Sequence, residues 1–242
     1  RIILDAGSGI VNAGNQIREE RILTQDKSRF NTIILLSHLH FDHISGLPFF
    51  SYLHNPEANI DIFCKAESNE NLKQILSDFL FNQSFPLNID ELKSNITFNS
   101  INVSNDNFAI ILRDEDTRPV ITNLDGAKKA EENDVVITSM YSKMHQKNGV
   151  NAYKISYGGK TLVYATDRES YVGGDKLLSS FARDCDLLIH DAQYTMEDYV
   201  NPSSPKQGYG HSTFEMALES KKLSKAKTLA MYHYDQIGRA HV

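Results

Sequence analysis

The segment "SHLHFDH", Ser37 to His43, places three imidazoles and a carboxylate within six positions, directly after the apolar run "TIILL". Residues two apart in an extended segment point to the same side, so His38 and His40 can face one point in space. If a helix starts near Asp42, then Asp42 and His43 lie on its first turn and can face a second point nearby. Imidazole and carboxylate are ligands for zinc, iron or manganese, and the spacing H-x-H-x-D-H offers enough donors for two cations. A chance histidine-rich bend is the competing reading. It is disfavoured because the segment follows a buried strand, where α/β proteins gather ligand sites.

Four donors do not complete a two-metal site, and the rest of the chain offers more. His145 lies in the polar loop "SKMHQKNG". Asp167 ends the strand-like run "KTLVYAT", and His233 ends "KTLAMYH". Each has an ordinary reading, a solvated loop or a strand cap. Together they stand at strand ends, where a sheet would collect them.

The strands and helices that carry these residues are legible along the chain. "RIIL" is a short strand followed by the Gly-rich turn "DAGSGI", and a helix follows from residue 10 to about residue 20. "NTIILL" is a continuous apolar run, as in a strand buried on both faces. "HISGLPFFSYL" opens as a helix. "NIDIFC" is a strand, and "SNENLKQILSDFL" is a capped helix with Leu72, Ile75, Leu76, Phe79 and Leu80 at helical spacing. "NITFNSI", "NFAIILRDE", "RPVIT", "DVVITSM", "NAYKISY", "KTLVYAT", "DLLIHD" and "KTLAMYH" are β-like. "YGGK" is a hairpin turn signal, and "TFEMALESKKL" is an amphipathic helix. Strands dominate the middle and helices the ends, which implies an α/β domain with two sheets and covering helices.

Composition sets the outer limits. The chain has 242 residues, 40% of them hydrophobic, enough for a substantial core. Lys and Arg total 25 against 31 Asp and Glu, a formal charge of −6, so no general nucleic-acid surface is expected. A small anionic substrate remains compatible, since a bound cation dominates the field of its own pocket. The two cysteines, Cys64 and Cys185, are far apart and in no metal or redox pattern. They read as buried free thiols of a reducing, cytoplasmic compartment. No apolar run is long enough to span a bilayer.

In order, "IILDAGSGI", "SHLHFDHISGLPFF", His145, "YATD", "DLLIHDAQY", "GHST" and "MYHYD" resemble the metallo-β-lactamase superfamily over nearly the whole chain. The resemblance implies an αββα sandwich of two mixed β-sheets flanked by helices, here truncated at both ends. It implies that His38, His40 and His145 hold one metal, that Asp42, His43 and His233 hold a second, and that Asp167 bridges them. The cofactor is then a pair of divalent ions, with zinc the default and manganese or iron compatible. "HDAQY" and "GHST" are similar to the ribonuclease Z and phosphodiesterase-like branch, in which the histidine of "GHST", here His211, faces the substrate phosphate.

Two such cations lower the pKa of a shared water towards neutrality, so that hydroxide attacks phosphorus in line. His211 would stabilise developing charge or protonate the leaving oxygen. Asp191 is the candidate for orienting His211, and Asp5 for hydrogen-bonding the ligand loop. The expected activity is hydrolysis of a small phosphodiester. The alternatives are tRNA 3′ processing, thioester or lactam hydrolysis, and a metal-binding scaffold without catalysis. The family's tRNA-processing members carry a basic, Gly-rich arm, whereas residues 66–95 here read as helical and partly apolar. A homodimer is compatible, since many members of the family are dimers.

At the ends, relatives usually have one or two strands before "IILDAG", so the first sheet is expected to have an exposed edge. The run Ile237 to Val242, "IGRAHV", is what a common sequencing-adapter run encodes. We therefore expect a single domain over residues 1–236 and a non-native tail over 237–242.

Overall fold

The computed structural model describes residues 1–83, 85–101, 108–113, 118–147 and 149–234. The expected tail, 237–242, lies outside the described residues. Two compact units contain them: one within residues 1–101 with Arg118 and Pro119, the other within 108–113 and 120–234.

The first unit is built on strands β1 (Ile2–Leu4), β2 (Phe30–Leu35), β3 (Ala58–Cys64) and β4 (Asn95–Ser100), in that spatial order. Every pairing is parallel. The expectation of two mixed sheets is therefore corrected here: this sheet is wholly parallel. The reason lies in the connections, since each strand is followed by helical or turn-rich chain that returns it to the same end. Helix α1 (Gly9–Leu23) joins β1 to β2. Helix α2 (Phe41–Ile44) and two 3-10 turns (Leu47–Phe49, Ser51–His54) join β2 to β3, and helix α3 (Asn69–Leu80) leads towards β4. The region read as one helix start from His43 onwards is thus broken, consistent with Pro48 at the head of a 3-10 turn.

Ser68 caps α3 by accepting from the Asn71 N–H, and Leu72, Leu76 and Leu80 form its buried stripe at i, i+4 and i+8. Phe79, expected on that stripe, is 60% exposed. Ile10, Ile34, Ile44, Leu47, Phe50 and Ile62 belong to the core of this unit. Strand β1 stands at one end of the described strand order.

The second unit carries β5 (Phe108–Leu112), β6 (Val120–Asn123), helix α4 (Leu124–Ala127), β7 (Val135–Ser142), β8 (Val150–Tyr157), β9 (Lys160–Ala165), helix α5 (Lys176–Phe181), β10 (Leu187–Asp191), helices α6 (Met196–Tyr199) and α7 (Phe214–Ser224), and β11 (Thr228–Tyr232). Among the described residues its seven strands are ordered β11-β10-β9-β8-β7-β5-β6. Pairings β9–β10 and β10–β11 are parallel, and β7–β8 and β8–β9 are antiparallel. This sheet is mixed, as expected. Gly158 and Gly159, both at positive φ (53° and 70°), close the β8–β9 hairpin, the geometry that matches strand twist. Val163, Leu178, Ala182 and Leu188 anchor its core.

One consequence of this topology positions the chemistry. Since β8 opposes both β7 and β9, strands β7, β9, β10 and β11 all run the same way. Their carboxyl ends meet one edge of the sheet, from which His145, Asp167, Asp191 and His233 all depart.

Candidate metal and acid-base site

In the first unit the ligand loop and the Gly-rich turn are packed backbone to backbone. The Ala6 N–H donates to the His43 carbonyl at 2.7 Å, and the Gly46 N–H to the Ala6 carbonyl at 2.9 Å. A Cβ on Gly7 would lie 2.2 Å from the Asp42 carbonyl oxygen, and one on Gly46 would lie 2.1 Å from that of Gly7. Only glycine permits this approach.

Asp5, in a left-handed conformation at φ 59° just past β1, turns its carboxylate onto the ligand loop. Its Oδ1 accepts from the Ser37 N–H at 2.6 Å, and its Oδ2 from the Ser37 hydroxyl at 2.8 Å. The same Oδ2 lies 2.7 Å from His43 Nδ1. His38 Nδ1 lies 3.0 Å from the Ser37 oxygen. Since that hydroxyl donates to Asp5, it accepts from His38. One buried carboxylate thus sets Nδ1–H on two histidines and leaves Nε2 as the lone-pair nitrogen of each. The His38 and His40 rings are 4.4 Å apart, and His38 and His43 are 4.3 Å apart. His43 Nε2 and Asp42 Oδ2 are within 3.2 Å. The four predicted donors of the loop are therefore gathered.

In the second unit the predicted residues leave the common sheet edge. Asp167 (φ 50°) and His233 (φ 64°) are both in the left-handed region immediately beyond β9 and β11. Such conformations are uncommon outside glycine and carry strain of about 1–3 kcal/mol. Asp167 accepts from the Thr166 hydroxyl at 2.6 Å and lies 3.4 Å from His233 Nε2. His145, Asp167 and His211 each offer a ligand atom within 4.8 Å of the others, as do Asp191, His211 and His233. The His211 ring stacks on His233 at 4.9 Å and meets His145 edge-on at 5.1 Å.

Two imidazoles and a carboxylate are a donor set suited to zinc, iron or manganese, so the residues present fit a divalent ion. The support around them fits as well. His145 donates Nδ1–H to the Gly210 carbonyl at 3.2 Å, and His211 Nδ1 lies 2.8 Å from Asp191 Oδ2. Each ring is thereby held in the tautomer that presents Nε2. The other Asp191 oxygen accepts from the Ser212 N–H at 2.7 Å. Fully buried His190 donates to the Asp191 carbonyl at 2.7 Å, and burial pushes its pKa below the ordinary histidine value. It therefore stays neutral and structural.

Sequence reasoning missed the supports: Ser37 under His38, Gly210 against His145, and Glu169, whose carboxylate accepts from Tyr199, Gly208 and Gly210. The glycine pair in "GYGH" was the available signal.

The chain matches the Beta-lactamase superfamily domain over residues 1–234. It belongs to that family and has the metallo-β-lactamase fold. Ribonuclease Z of Picrophilus torridus is 26% identical over 219 residues, covering 83% of this chain and 68% of the relative. The structure of the short form of human tRNase Z aligns with a TM-score of 0.60 and 18% identity, over 98% of this chain and 83% of that one. A diphosphatase of the PhnP family aligns at 0.52 with 16% identity, over 96% and 68% respectively. The chain is thus a hydrolase of a superfamily that binds divalent metals. Among the described residues no helix is long and apolar enough to cross a membrane.

Proposed function

We propose that this chain is a phosphodiester hydrolase using two divalent cations, with zinc the default. The candidate ligands are those that the family resemblance names: His38, His40, Asp42 and His43 in the loop after β2, and His145, Asp167 and His233 beyond the strand ends. The observation that carries the reading is the Asp191–His211 contact at 2.8 Å beside the donors of His145, Asp167 and His233. Thioester hydrolysis is less well matched, since a departing thiolate needs no proton whereas a carboxylate–imidazole pair suits delivery of one to a departing alkoxide.

When bound, such cations supply hydroxide near neutral pH and stabilise charge at phosphorus. The residues of the chain do the rest. Asp191 holds His211 by Nδ1 and so aims its Nε2. His211 then donates from Nε2 to the leaving oxygen. Asp5 and Ser37 keep the loop histidines turned the right way, and Asp167 is held by Thr166. The substrate would be a small anionic phosphodiester. We place the chain in a reducing, cytoplasmic setting on the strength of its buried free cysteines, Cys64 and Cys185.

A second reading, RNA 3′ processing, is favoured by the relatives that carry the name ribonuclease Z. Metal analysis of the purified chain, followed by assay on bis(p-nitrophenyl) phosphate and on a precursor tRNA with a 3′ trailer, tests both. Two equivalents of metal and turnover of the aryl diester are expected. Turnover of the precursor alone moves the assignment to the second reading, and inertness towards both rejects the first and the second alike.

A further inference from the structure

Glu169 plays no part in the ligand set, yet the residue is only 7% exposed and its carboxylate accepts three donors. Oε1 takes the Tyr199 hydroxyl at 2.5 Å and the Gly208 N–H at 2.8 Å, and Oε2 takes the Gly210 N–H at 3.0 Å. These donors belong to the segment that precedes His211. Gly208 and Gly210 are both left-handed, at φ 82° and 88°, so this is a tight turn that no other residue type enters without strain. The Gly210 peptide then does two things. Its N–H is held by Glu169, and its carbonyl accepts from His145 Nδ1 at 3.2 Å. The contact leaves no slack, since a Cβ on Gly210 would lie 2.3 Å from His145 Nδ1.

The far side of the same turn is pinned separately. The Ser212 N–H donates to Asp191 Oδ1 at 2.7 Å, and the Ser212 hydroxyl to the Arg168 carbonyl at 2.6 Å. His211 therefore sits between two fixed points, one of which is Glu169. Burial, and then the Glu169 carboxylate, push the Tyr199 phenol well above its ordinary range, so Tyr199 remains a donor at any working pH.

We infer that Glu169 is a positioning residue that sets His145 and His211 together, through the Gly208–Gly210 turn. The inference rests on the proposed hydrolase for its purpose, but its geometry is that of the second unit alone. A carboxylate is required because all three partners are donors. Glutamine keeps one acceptor oxygen and turns an N–H towards a backbone N–H, which must swing away. Either glycine that moves carries the turn with it, and Gly210 carries the support of His145.

The test compares Glu169→Gln with Tyr199→Phe, which deletes one donor and leaves both glycine contacts, and with Leu178→Ala, a core lesion elsewhere in the unit. Imidazole nitrogen spectra of the full chain, recorded without added metal, report the His145 and His211 tautomers. Chelator competition then reports zinc affinity, and cobalt substitution the visible spectrum of the site. In Glu169→Gln both imidazoles are expected to change together, with zinc affinity reduced about 10–100-fold. Tyr199→Phe and Leu178→Ala are expected to stay near the parent in spectra and affinity, whatever their melting temperatures. If Glu169→Gln does not fold, Glu169→Asp, which keeps both oxygens on a shorter arm, is read in the same way and is expected to show the same paired change in smaller degree. Unchanged imidazole spectra in the glutamate variant, or equal changes in Leu178→Ala, overturn the inference. A parent chain that binds no metal contradicts the proposed hydrolase instead, because the imidazole spectra do not depend on it.

Discussion

Asp5 Oδ2 and His43 Nδ1 lie 2.7 Å apart, and both side chains are more than nine-tenths buried. The aspartate stands 38 positions before the histidine and reaches it only because β1 and β2 are adjacent parallel strands ending at the same level. The same carboxylate holds Ser37 twice. Asp5→Asn keeps the size but offers one acceptor in place of two. Its amide group then faces either the Ser37 N–H or the His43 N–H. We expect metal affinity at this loop to fall about 10–100-fold, with the fold retained. Zinc titration monitored with a chromogenic chelator measures the loss.

Gly210→Ala is predicted to be more damaging than its size implies. The position has φ 88°, and the added carbon would lie 2.3 Å from the His145 ring nitrogen. Backbone strain alone costs about 1–3 kcal/mol. For a chain of this length that corresponds to a melting temperature lower by roughly 2–12 °C, taking about 2–4 °C per kcal/mol. Gly208→Ala is the comparison, with a similar φ of 82° but nothing within 4 Å of the new carbon. Both should lose stability by calorimetry, while the larger loss of metal affinity belongs to Gly210→Ala.

How much of this was legible in the sequence follows from what each residue depends on. The strands were legible because their apolar runs are local, and the donor loop because alternation alone sends His38 and His40 to one side. Asp167, Asp191 and His233 could be nominated as strand ends. That they share one edge was not legible, since it depends on β8 opposing both β7 and β9. The wholly parallel first sheet was missed because a strand pattern does not state its direction. Phe79 was misassigned because a helix of mixed apolar residues fits more than one stripe. Glu169 was signalled only indirectly, by the glycines it holds: its meaning arises from donors 30 to 41 positions away. The left-handed backbone at Asp5, Asp167 and His233 is equally invisible, as aspartate and histidine occur in every conformation.

The cysteines give a prediction independent of the metal. Cys64 and Cys185 are free and buried, and burial pushes both thiols above their ordinary pKa. Reactivity requires thiolate and access. In the native state neither should react with a chromogenic disulfide on the timescale of minutes, and both should react in denaturant. Fast labelling of one thiol before unfolding would show that its surroundings open readily.

The division of labour between the histidines is the most demanding expectation, because several have their ligand atoms close together. His211 lies near enough to His145, Asp167 and His233 to act as a ligand itself. What separates it is Asp191, which is fully buried, holds His211 Nδ1 at 2.8 Å and anchors the Ser212 N–H through its other oxygen. A buried carboxylate in that place fixes the ring through Nδ1 and aims Nε2 outward, an arrangement suited to proton transfer. We therefore expect His211→Ala to keep its full complement of metal and to lose turnover by about 10²–10⁴-fold, the usual contribution of a general acid. The loss should be smallest for a diester whose leaving group is already a good one, such as p-nitrophenolate, because that group needs no proton. Asp191→Asn should follow the same pattern less steeply, since the ring remains but loses the carboxylate that holds its Nδ1. His40→Ala should behave differently, losing metal along with activity and losing both equally for good and poor leaving groups. Metal analysis of the three variants beside rates on an aryl and an alkyl diester distinguishes the roles. Loss of metal from His211→Ala would make His211 a ligand and leave the proton donor to be found elsewhere.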